Sequence, residues 1–232
     1  MKNLNKIKLF AIDSDGVLLN DTYSPVIKRF VEMYGGVYNA QVERHVWGSP
    51  QITAGHNMAL ACKLPWSGER TIAEFFKVRN SYLVENPVKV LPNIRKTLEM
   101  LHATGAKLVC YGGRNKEYSF DKFLYEYQPY FDLDIPYVDI NNFRPGVHEI
   151  VKDYFHLEHD EVVFIDDINR VAEVCKKLNS GFIGIPANMK HNYQKQEMQE
   201  TGVKFACACF SDITLDMIMK LDRMMLSSQH WS

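Results

Sequence analysis

The sequence lacks a surplus of charge of either sign, and it lacks long hydrophobic runs. Its 232 residues include 27 basic and 28 acidic side chains, for a formal net charge of −1. Such a chain has no general electrostatic attraction to nucleic acid or anionic lipid. The apolar run after the first lysines covers only Ile7–Ile12, without a small-residue cleavage site behind it, and no stretch approaches the length of a membrane span. We therefore expect neither a nucleic-acid partner nor a membrane partner.

Cysteine is also scarce, and the cysteines are scattered and odd in number: Cys62, Cys110, Cys175, Cys207 and Cys209. Cys207 and Cys209 form a C-x-C pair, but no second Cys/His cluster has the spacing of a metal site. We expect buried core thiols rather than a metal or redox pair. This use of cysteine fits a reducing compartment, so we expect a cytoplasmic protein.

Short apolar β-rich runs alternate with helical patterns along most of the chain. This alternation predicts an α/β fold, a Rossmann-like parallel sheet with helices on both faces. The predicted strands are Lys8–Ile12, Lys107–Tyr111, Tyr137–Ile140, Val162–Ile165, Phe182–Ile185 and Lys204–Cys209. The predicted helices are Pro92–Ala103, Glu117–Tyr127, Val147–Phe155, Asn169–Leu178 and Ile213–Met225.

The region Val26–Val84 follows a different pattern, with helical periodicity, no convincing strand and glycine-containing breaks. It lies between the first strand and the next strand–helix unit. We interpret it as an all-helical insertion bounded by turn-forming residues. The predicted organisation is a core domain of residues 1–20 and 88–232 with a small helical domain of residues 21–87.

Two predicted strands end in paired carboxylates, Asp13 with Asp15 and Asp166 with Asp167. The carboxyl ends of parallel strands line the crevice of an open α/β sheet, so these side chains should meet there. Each pair has a simpler interpretation, an Asp-Gly turn before Gly16 or a helix N-cap. Together they favour a Mg²⁺ site, because Mg²⁺ prefers oxygen ligands and unneutralised carboxylates would repel one another.

The run Asp13-Ser-Asp15-Gly-Val-Leu resembles the first motif of the haloacid dehalogenase-like (HAD) superfamily, and Asp166-Asp167 resembles its last, acidic motif. The helical insertion lies where many members carry a mobile cap, and the resemblance covers nearly the whole chain. It implies a Mg²⁺-dependent phosphoryl-transfer enzyme that acts on a small phosphorylated metabolite. The oligomeric state stays open.

The resemblance also implies a role for each acidic residue. Asp13 matches the nucleophile that forms an aspartyl-phosphate, which splits one difficult step into two. Asp15 matches the general acid/base. The implied metal site consists of Asp13, Asp166, Asp167 and the backbone carbonyl of Asp15. Dehalogenating members generally lack the second aspartate, so Asp15 favours phosphate chemistry.

Two motifs of the superfamily are altered here. The second motif normally supplies a Thr or Ser hydroxyl where this sequence has Gly112, followed by Gly113 and Arg114. These residues could bind phosphate through backbone N–H groups and a side chain, or simply form a turn. The third motif normally supplies a lysine, and Arg144 stands in its place, with the positive charge but a bulkier shape. A surface arginine is the simpler alternative.

Several functions agree with these residues. The leading one is a small-molecule phosphomonoester phosphatase. A phosphomutase would use the same aspartyl-phosphate, and a catalytically impaired member that only binds phosphorylated ligands would explain Gly112 and Arg144. In the helical insertion, the residues Arg44, His45 and Trp47 form the most site-like cluster, although single residues of this kind are usually structural.

Overall fold

The computed structural model describes residues 4–232, and a five-stranded parallel sheet forms its centre. The strands are β1 Leu9–Asp13, β2 Lys107–Gly112, β3 Tyr137–Asp139, β4 Val162–Asp166 and β5 Gly181–Gly184. Their order across the sheet is β3-β2-β1-β4-β5, so β1 is central. Helices surround this sheet, which confirms the predicted Rossmann-like α/β fold.

The first strand shows why its sequence is almost continuously apolar. Leu9 and Ala11 pack into the core on one face of the sheet, and Phe10 and Ile12 pack into the core on the other. Successive side chains of a strand point to opposite faces, and here helices cover both faces. Every position of β1 is buried, so the polar Asp13 at its end stands out.

Five α-helices follow or separate the later strands: α5 Ile94–His102, α6 Val147–Glu149, α7 Asn169–Leu178, α8 Gln194–Thr201 and α9 Leu215–Leu226. Helix α6 has only three residues and is followed directly by a wider helix over Ile150–Tyr154, so the predicted helical stretch Val147–Phe155 is helical but mostly not an α-helix. The predictions at Pro92–Ala103, Asn169–Leu178 and Ile213–Met225 are confirmed within a few residues. Helix α8 was not predicted, because among its residues only Gln194 and Met198 are buried and the apolar periodicity is weak.

Four helices lie between β1 and β2: α1 Ser24–Met33, α2 Ala40–Val46, α3 Gln51–Ala61 and α4 Gly68–Glu85. They share an aromatic core of their own, which includes Phe30, Trp47, Met58 and Phe75. The side chain of Ser67 caps α4 by accepting a hydrogen bond from the Arg70 backbone. The described structure thus has helices and no named strand over residues 24–85, while the exact division into domains stays a prediction.

The chain enters and leaves this helical insertion through two segments that run side by side. Leu19 and Val90 form an antiparallel bridge, and the backbone N–H of Leu91 donates to the carbonyl of Leu18 at 2.9 Å. The Asn20 side chain also bonds to the backbone of Lys89, accepting its N–H at 2.6 Å. The two crossings are therefore fixed next to each other.

The predicted strand Lys204–Cys209 is wrong. Only Ala206 forms a bridge, to Gly184 at the end of β5, through hydrogen bonds that flank it. The apolar alternation has a different cause here, because Phe205 is buried in the core while its neighbours are more exposed. Side-chain burial alone produced a strand-like pattern.

The predicted helical stretch Glu117–Tyr127 is helical in the structure, but it is not one α-helix. The chain forms short tight helices over Lys116–Tyr118 and Tyr125–Tyr130, separated by a wider one over Phe120–Leu124. Pro129, inside the last of these, has no N–H to donate to an α-helical hydrogen bond. Periodicity over so few residues does not distinguish these forms from an α-helix.

All five cysteines are free thiols. Three are buried as expected, but Cys207 and Cys209 are only half-buried. Cys207 lies 3.7 Å from the sulfur of Met217, and Cys209 lies 3.1 Å from the Ser211 hydroxyl. Within residues 4–232, no helix combines the length and apolar character needed to cross a bilayer.

Candidate active site

Asp13 and Asp167 lie at the carboxyl ends of adjacent central strands, β1 and β4. Asp13 is 9% exposed and Asp167 only 4%. The Asp167 carboxylate lies against Gly16, where any larger residue would place its Cβ. Gly16 also has φ of +94°, a conformation that favours glycine. The missing side chain of Gly16 therefore makes room for the Asp167 carboxylate, which a simple Asp-Gly turn would not require.

Three of the four carboxylates that were expected to meet lie close together, and the Asp15 carboxylate is not among them. Asp13, Asp166 and Asp167 each offer an oxygen, and these oxygens lie within 4.8 Å of one another. Burial, followed by the charges of Asp166 and Asp15, raises the pKa of Asp13 well above its usual range. Burial and the charges of Asp166 and Asp13 do the same to the pKa of Asp167. A set of buried carboxylates that disfavour one another's charge suits a divalent cation such as Mg²⁺.

Asp166 differs from its neighbour because both of its oxygens already accept hydrogen bonds. The Tyr111 hydroxyl at the end of β2 donates to one oxygen, and the Ile168 backbone donates to the other at 2.7 Å. Burial raises the pKa of Asp166 to about 6, and these donors oppose the rise. Asp167 lines the cavity next to the site, whereas Asp166 is held behind it. The arrangement orients Asp166 and leaves Asp167 facing the cavity.

Asp15 lines the same cavity as Asp13, but its carboxylate is not part of the three-residue cluster. Burial raises its pKa, and the Arg79 guanidinium opposes this most strongly. Arg79 lies in α4, is buried, and donates to the Thr22 hydroxyl at 2.7 Å. Its guanidinium stands 4.2 Å from the ring centroid of Tyr23. The helical insertion thus supplies the positive charge that most strongly opposes the rise in the pKa of Asp15.

The residues predicted to bind phosphate occupy different positions. Gly113, Arg114 and Arg144 line the cavity together with the aspartates. The Arg144 guanidinium lies where a Cβ on Gly113 would be, so the missing side chain of Gly113 lets Arg144 reach the site. Arg144 is paired with no carboxylate within the described chain. The structure thereby brings the altered third motif next to Asp13.

Gly112 lies outside the cavity lining. A Cβ at this position would stand 2.5 Å from the Ser14 hydroxyl and 2.8 Å from the Tyr137 hydroxyl. These two side chains occupy the space that a larger residue at 112 would need. Gly112 therefore has a packing reason, and its predicted contact with phosphate stays a prediction.

The cavity extends from the acidic strand ends into the helical insertion and is partly open to solvent. Trp47 lines it, but Arg44 and His45 of the same predicted cluster are exposed. Arg44 instead forms an ion pair with Glu173 at 2.8 Å. The apolar residues of the helical insertion that line the cavity were not predicted to do so. In the sequence of a helix, a residue that faces a cavity cannot be distinguished from an ordinary core residue.

A buried carboxylate joins the insertion to the sheet domain next to this cavity. Glu43 in α2 is fully buried and accepts hydrogen bonds from the Tyr38 hydroxyl at 2.5 Å and from the Gln194 amide at 2.8 Å. Gln194 in turn accepts the backbone N–H of Asn169 at 2.6 Å, two residues after Asp167. The sequence contains no pattern that would have predicted this network. For Tyr111, which contacts Asp166, the one available indication was its position as a polar aromatic residue at the end of an apolar strand.

No protein-family model matches the sequence, and no curated protein matches it significantly. Solved structures do match over nearly the whole chain. A phosphonoacetaldehyde hydrolase like protein from Oleispira antarctica has a TM-score of 0.71 at 11% identity, covering 98% of this chain and 96% of that one. A beta-phosphoglucomutase from Clostridium difficile has a TM-score of 0.69 at 12% identity, covering 95% and 99%.

A HAD hydrolase of family IA, variant 3, from Entamoeba histolytica HM-1:IMSS has a TM-score of 0.67 at 14% identity, covering 94% of this chain and all of that one, 100%. These identities are low, so the likeness concerns the fold. The fold of this chain is therefore that of the haloacid dehalogenase-like hydrolases, as the resemblance of its acidic motifs implies.

Proposed function

We propose that this protein is a hydrolase of the HAD superfamily, a Mg²⁺-dependent phosphatase of small phosphomonoesters. One observation carries the proposal: Asp13, Asp166 and Asp167 converge within 4.8 Å, at a cavity that Asp15, Arg114 and Arg144 also line. Carboxylates for a cation and unpaired guanidiniums for an anion at one place suit a phosphate ester. The fold shared with HAD hydrolases supports the same reaction.

In this proposal a carboxylate oxygen of Asp13 attacks phosphorus, so that a bond to Asp13 forms while the bond from phosphorus to the ester oxygen breaks. Asp15 gives its proton to the departing oxygen. Asp15 then takes a proton from water, and that water attacks phosphorus and releases Asp13. The raised pKa of Asp15 supports its acid role, since it keeps more of the protonated form available.

The positive groups have a separate task. Arg114 and Arg144 would hold the phosphate oxygens in line with Asp13, because guanidiniums match phosphate with paired donors. Asp13, Asp167 and the Asp15 backbone carbonyl would hold Mg²⁺, and Asp166 would complete or orient that set. When bound, Mg²⁺ supplies charge neutralisation for the phosphate and for the carboxylates.

The test is phosphate release from a panel of small phosphate esters with Mg²⁺, with and without a chelator. We expect Mg²⁺-dependent turnover, reduced at least about 10³-fold in Asp13→Asn because the nucleophile is lost. The exposed Asp153→Asn is the matched control and should behave as the unmodified protein. The hydrolase proposal fails if no ester is turned over or if Asp13→Asn is as active as the unmodified protein.

Product analysis separates the alternatives. A phosphomutase would return the phosphate to another hydroxyl of the organic product, so little inorganic phosphate would accumulate. A catalytically impaired member would be stabilised thermally by phosphorylated ligands without releasing phosphate. The alteration at Gly112 is the observation that keeps this second candidate in view.

A further inference from the structure

The cavity has two chemically different ends, and the inner one is unusually poor in polar groups. Its wall there is formed by side chains of the helical insertion: Val46, Trp47, Met58, Ile72, Phe75 and Phe76. Of these six side chains, only Trp47 carries a hydrogen-bonding atom. The insertion also contributes polar side chains to the lining, namely Tyr23, Ser24, Ser49 and Gln51. The same cavity reaches from these side chains to Asp13 and Asp167, so it extends beyond the place of a phosphate group.

We propose that the substrate is a phosphate monoester of an apolar alcohol or phenol, whose hydrocarbon part fills this inner end. The inference rests on the proposed function, because it takes the acidic strand ends as the place of the phosphate. With phosphate there, the leaving group has to extend toward the apolar wall. A hydrocarbon group gains from leaving water in that position.

Sugar phosphates fit the same space poorly. A sugar ring would bring several hydroxyls against Met58, Ile72 and Phe75, which offer no donor or acceptor, and each unpaired hydroxyl would lose its hydrogen bonds to water. Two polar lining groups are already engaged by the protein. The Gln51 amide donates to the Gly113 carbonyl at 2.9 Å, and the Ser24 hydroxyl lies 3.3 Å from the His191 ring.

One oxygen of Asp21, a cavity-lining residue between the first motif and α1, is buried without a partner in the described chain. Its other oxygen accepts the backbone N–H of Tyr23 at 2.8 Å. The Tyr23 hydroxyl and the Trp47 indole N–H, which also line the cavity, are likewise buried without a partner in the described chain. These three atoms leave room for a few polar substituents on an otherwise apolar group. They are fewer than the hydroxyls and ring oxygen of a hexose ring.

The decisive experiment compares two esters of the same shape, cyclohexylmethyl phosphate and glucose 6-phosphate, which both carry a six-membered ring on a CH₂–O–phosphate group. We expect kcat/KM to favour cyclohexylmethyl phosphate by roughly 10–100-fold, the discrimination an apolar pocket makes against added hydroxyls. Equal or better turnover of glucose 6-phosphate overturns the inference and leaves the phosphatase function standing. Turnover of neither ester counts against the phosphatase function itself.

A binding measurement decides the inference even in that last case. Linear alkyl phosphonates, which cannot be hydrolysed, should bind about fourfold more tightly for each added methylene until the inner end is filled. Affinity that does not change with chain length overturns the apolar assignment.

A variant pair localises the effect. Ile72→Asn places an amide in the inner wall and should reduce the preference for cyclohexylmethyl phosphate about tenfold, whereas Leu60→Asn, on an exposed face of neighbouring α3, should leave it unchanged. An unchanged preference in a folded Ile72→Asn protein contradicts the inference. Should that variant not fold, the phosphonate series on the unmodified protein still decides.

Discussion

The sheet end and the helical end of the cavity are built by opposite means. At the sheet end, buried carboxylates crowd together and their pKa values rise because burial and mutual repulsion disfavour their charges. At the helical end, apolar side chains pack around Trp47 and Met58 with little polar chemistry. The carboxylates of the sheet end disfavour one another's charges, whereas the side chains of the helical end pack mainly through apolar contacts. Under the proposed function, the strand ends carry out the reaction and the helices select the substrate.

The largest effect expected from breaking this contrast is the loss of the cation site. Asp167→Asn removes the carboxylate that faces the cavity, and several kcal/mol of charge stabilisation should go with it, so kcat/KM should fall by roughly 10²–10³-fold for every ester alike. Activity titrated against Mg²⁺ measures this. The exposed Asp134→Asn serves as the control. A change in ester preference without a general loss would contradict the division between the two ends.

A smaller loss is expected when Arg144 is displaced without being mutated. Gly113→Ala puts a methyl group where the Arg144 guanidinium lies, and one lost charge-assisted hydrogen bond to phosphate, about 1.5–3 kcal/mol, should lower kcat/KM roughly 10–100-fold. The double variant Gly113→Ala with Arg144→Lys should lose less than the sum of the two single losses. Strict additivity would show that the two positions act independently.

Glu43 connects the helical insertion to the sheet domain through its buried hydrogen bonds, and a substitution at this position should weaken that connection. Glu43→Gln replaces a fully buried acceptor of several hydrogen bonds and should lower the free energy of unfolding by about 1–3 kcal/mol. Chemical denaturation measures it. Glu32→Gln, on the exposed face of α1, should change stability by less than about 0.5 kcal/mol. Similar values for both would mean that the buried network contributes nothing particular.

The smallest expected effect is a pH dependence of stability at the sheet end. The pKa of Asp166 is about 6 in the folded protein, against an ordinary 3.8. Between these two pH values the folded protein binds more protons than the unfolded chain. The free energy of unfolding therefore falls as the pH rises through this range. Without Mg²⁺, this shift removes a little more than about 1 kcal/mol of stability between about pH 5 and about pH 7, so the melting temperature should fall by about 3–5 °C. Added Mg²⁺ should reduce the fall, since a cation favours the charged carboxylates.

The matched measurement is the same pair of melting curves on Asp166→Asn, in which this contribution is absent. Raised carboxyl pKa values predict a melting temperature that falls as the pH rises from about 5 to about 7. A metal-free protein whose melting temperature rises over this range would contradict the prediction.

Much of the sheet end could be predicted from the sequence because its signals are local. An apolar strand that stops at Asp13 or Asp166 reports both the strand and the position of its end. The segment Lys204–Cys209 has the same kind of pattern, but the strand predicted from it is wrong. One buried Phe205 among more exposed neighbours produces the alternation, and only the bridge between Ala206 and Gly184 connects the segment to the sheet. Burial and pairing are separate facts that period-two patterns do not distinguish.

The helical end was predictable only as a group of helices. In the sequence, Ile72 and Phe76 are indistinguishable from core residues of a helix. Whether such a residue faces another helix or a cavity depends on how the helices pack. The cluster of Arg44, His45 and Trp47 illustrates the limit, because three nearly consecutive residues diverge to an ion pair, to solvent and to the cavity. Long-range contacts such as Tyr111 with Asp166 likewise follow from strand order, which the sequence does not state.

The paired crossings at Leu19 and Val90 have a consequence for how this protein could be rebuilt. Because the two points where the helical insertion departs and returns are hydrogen-bonded side by side, a short turn could link them in its place. A foreign helical unit could be inserted at the same two points. Such an exchange would also remove the Arg79 charge that acts on Asp15 and the hydrogen bond from Gln51 to Gly113, so a replacement unit would have to supply both.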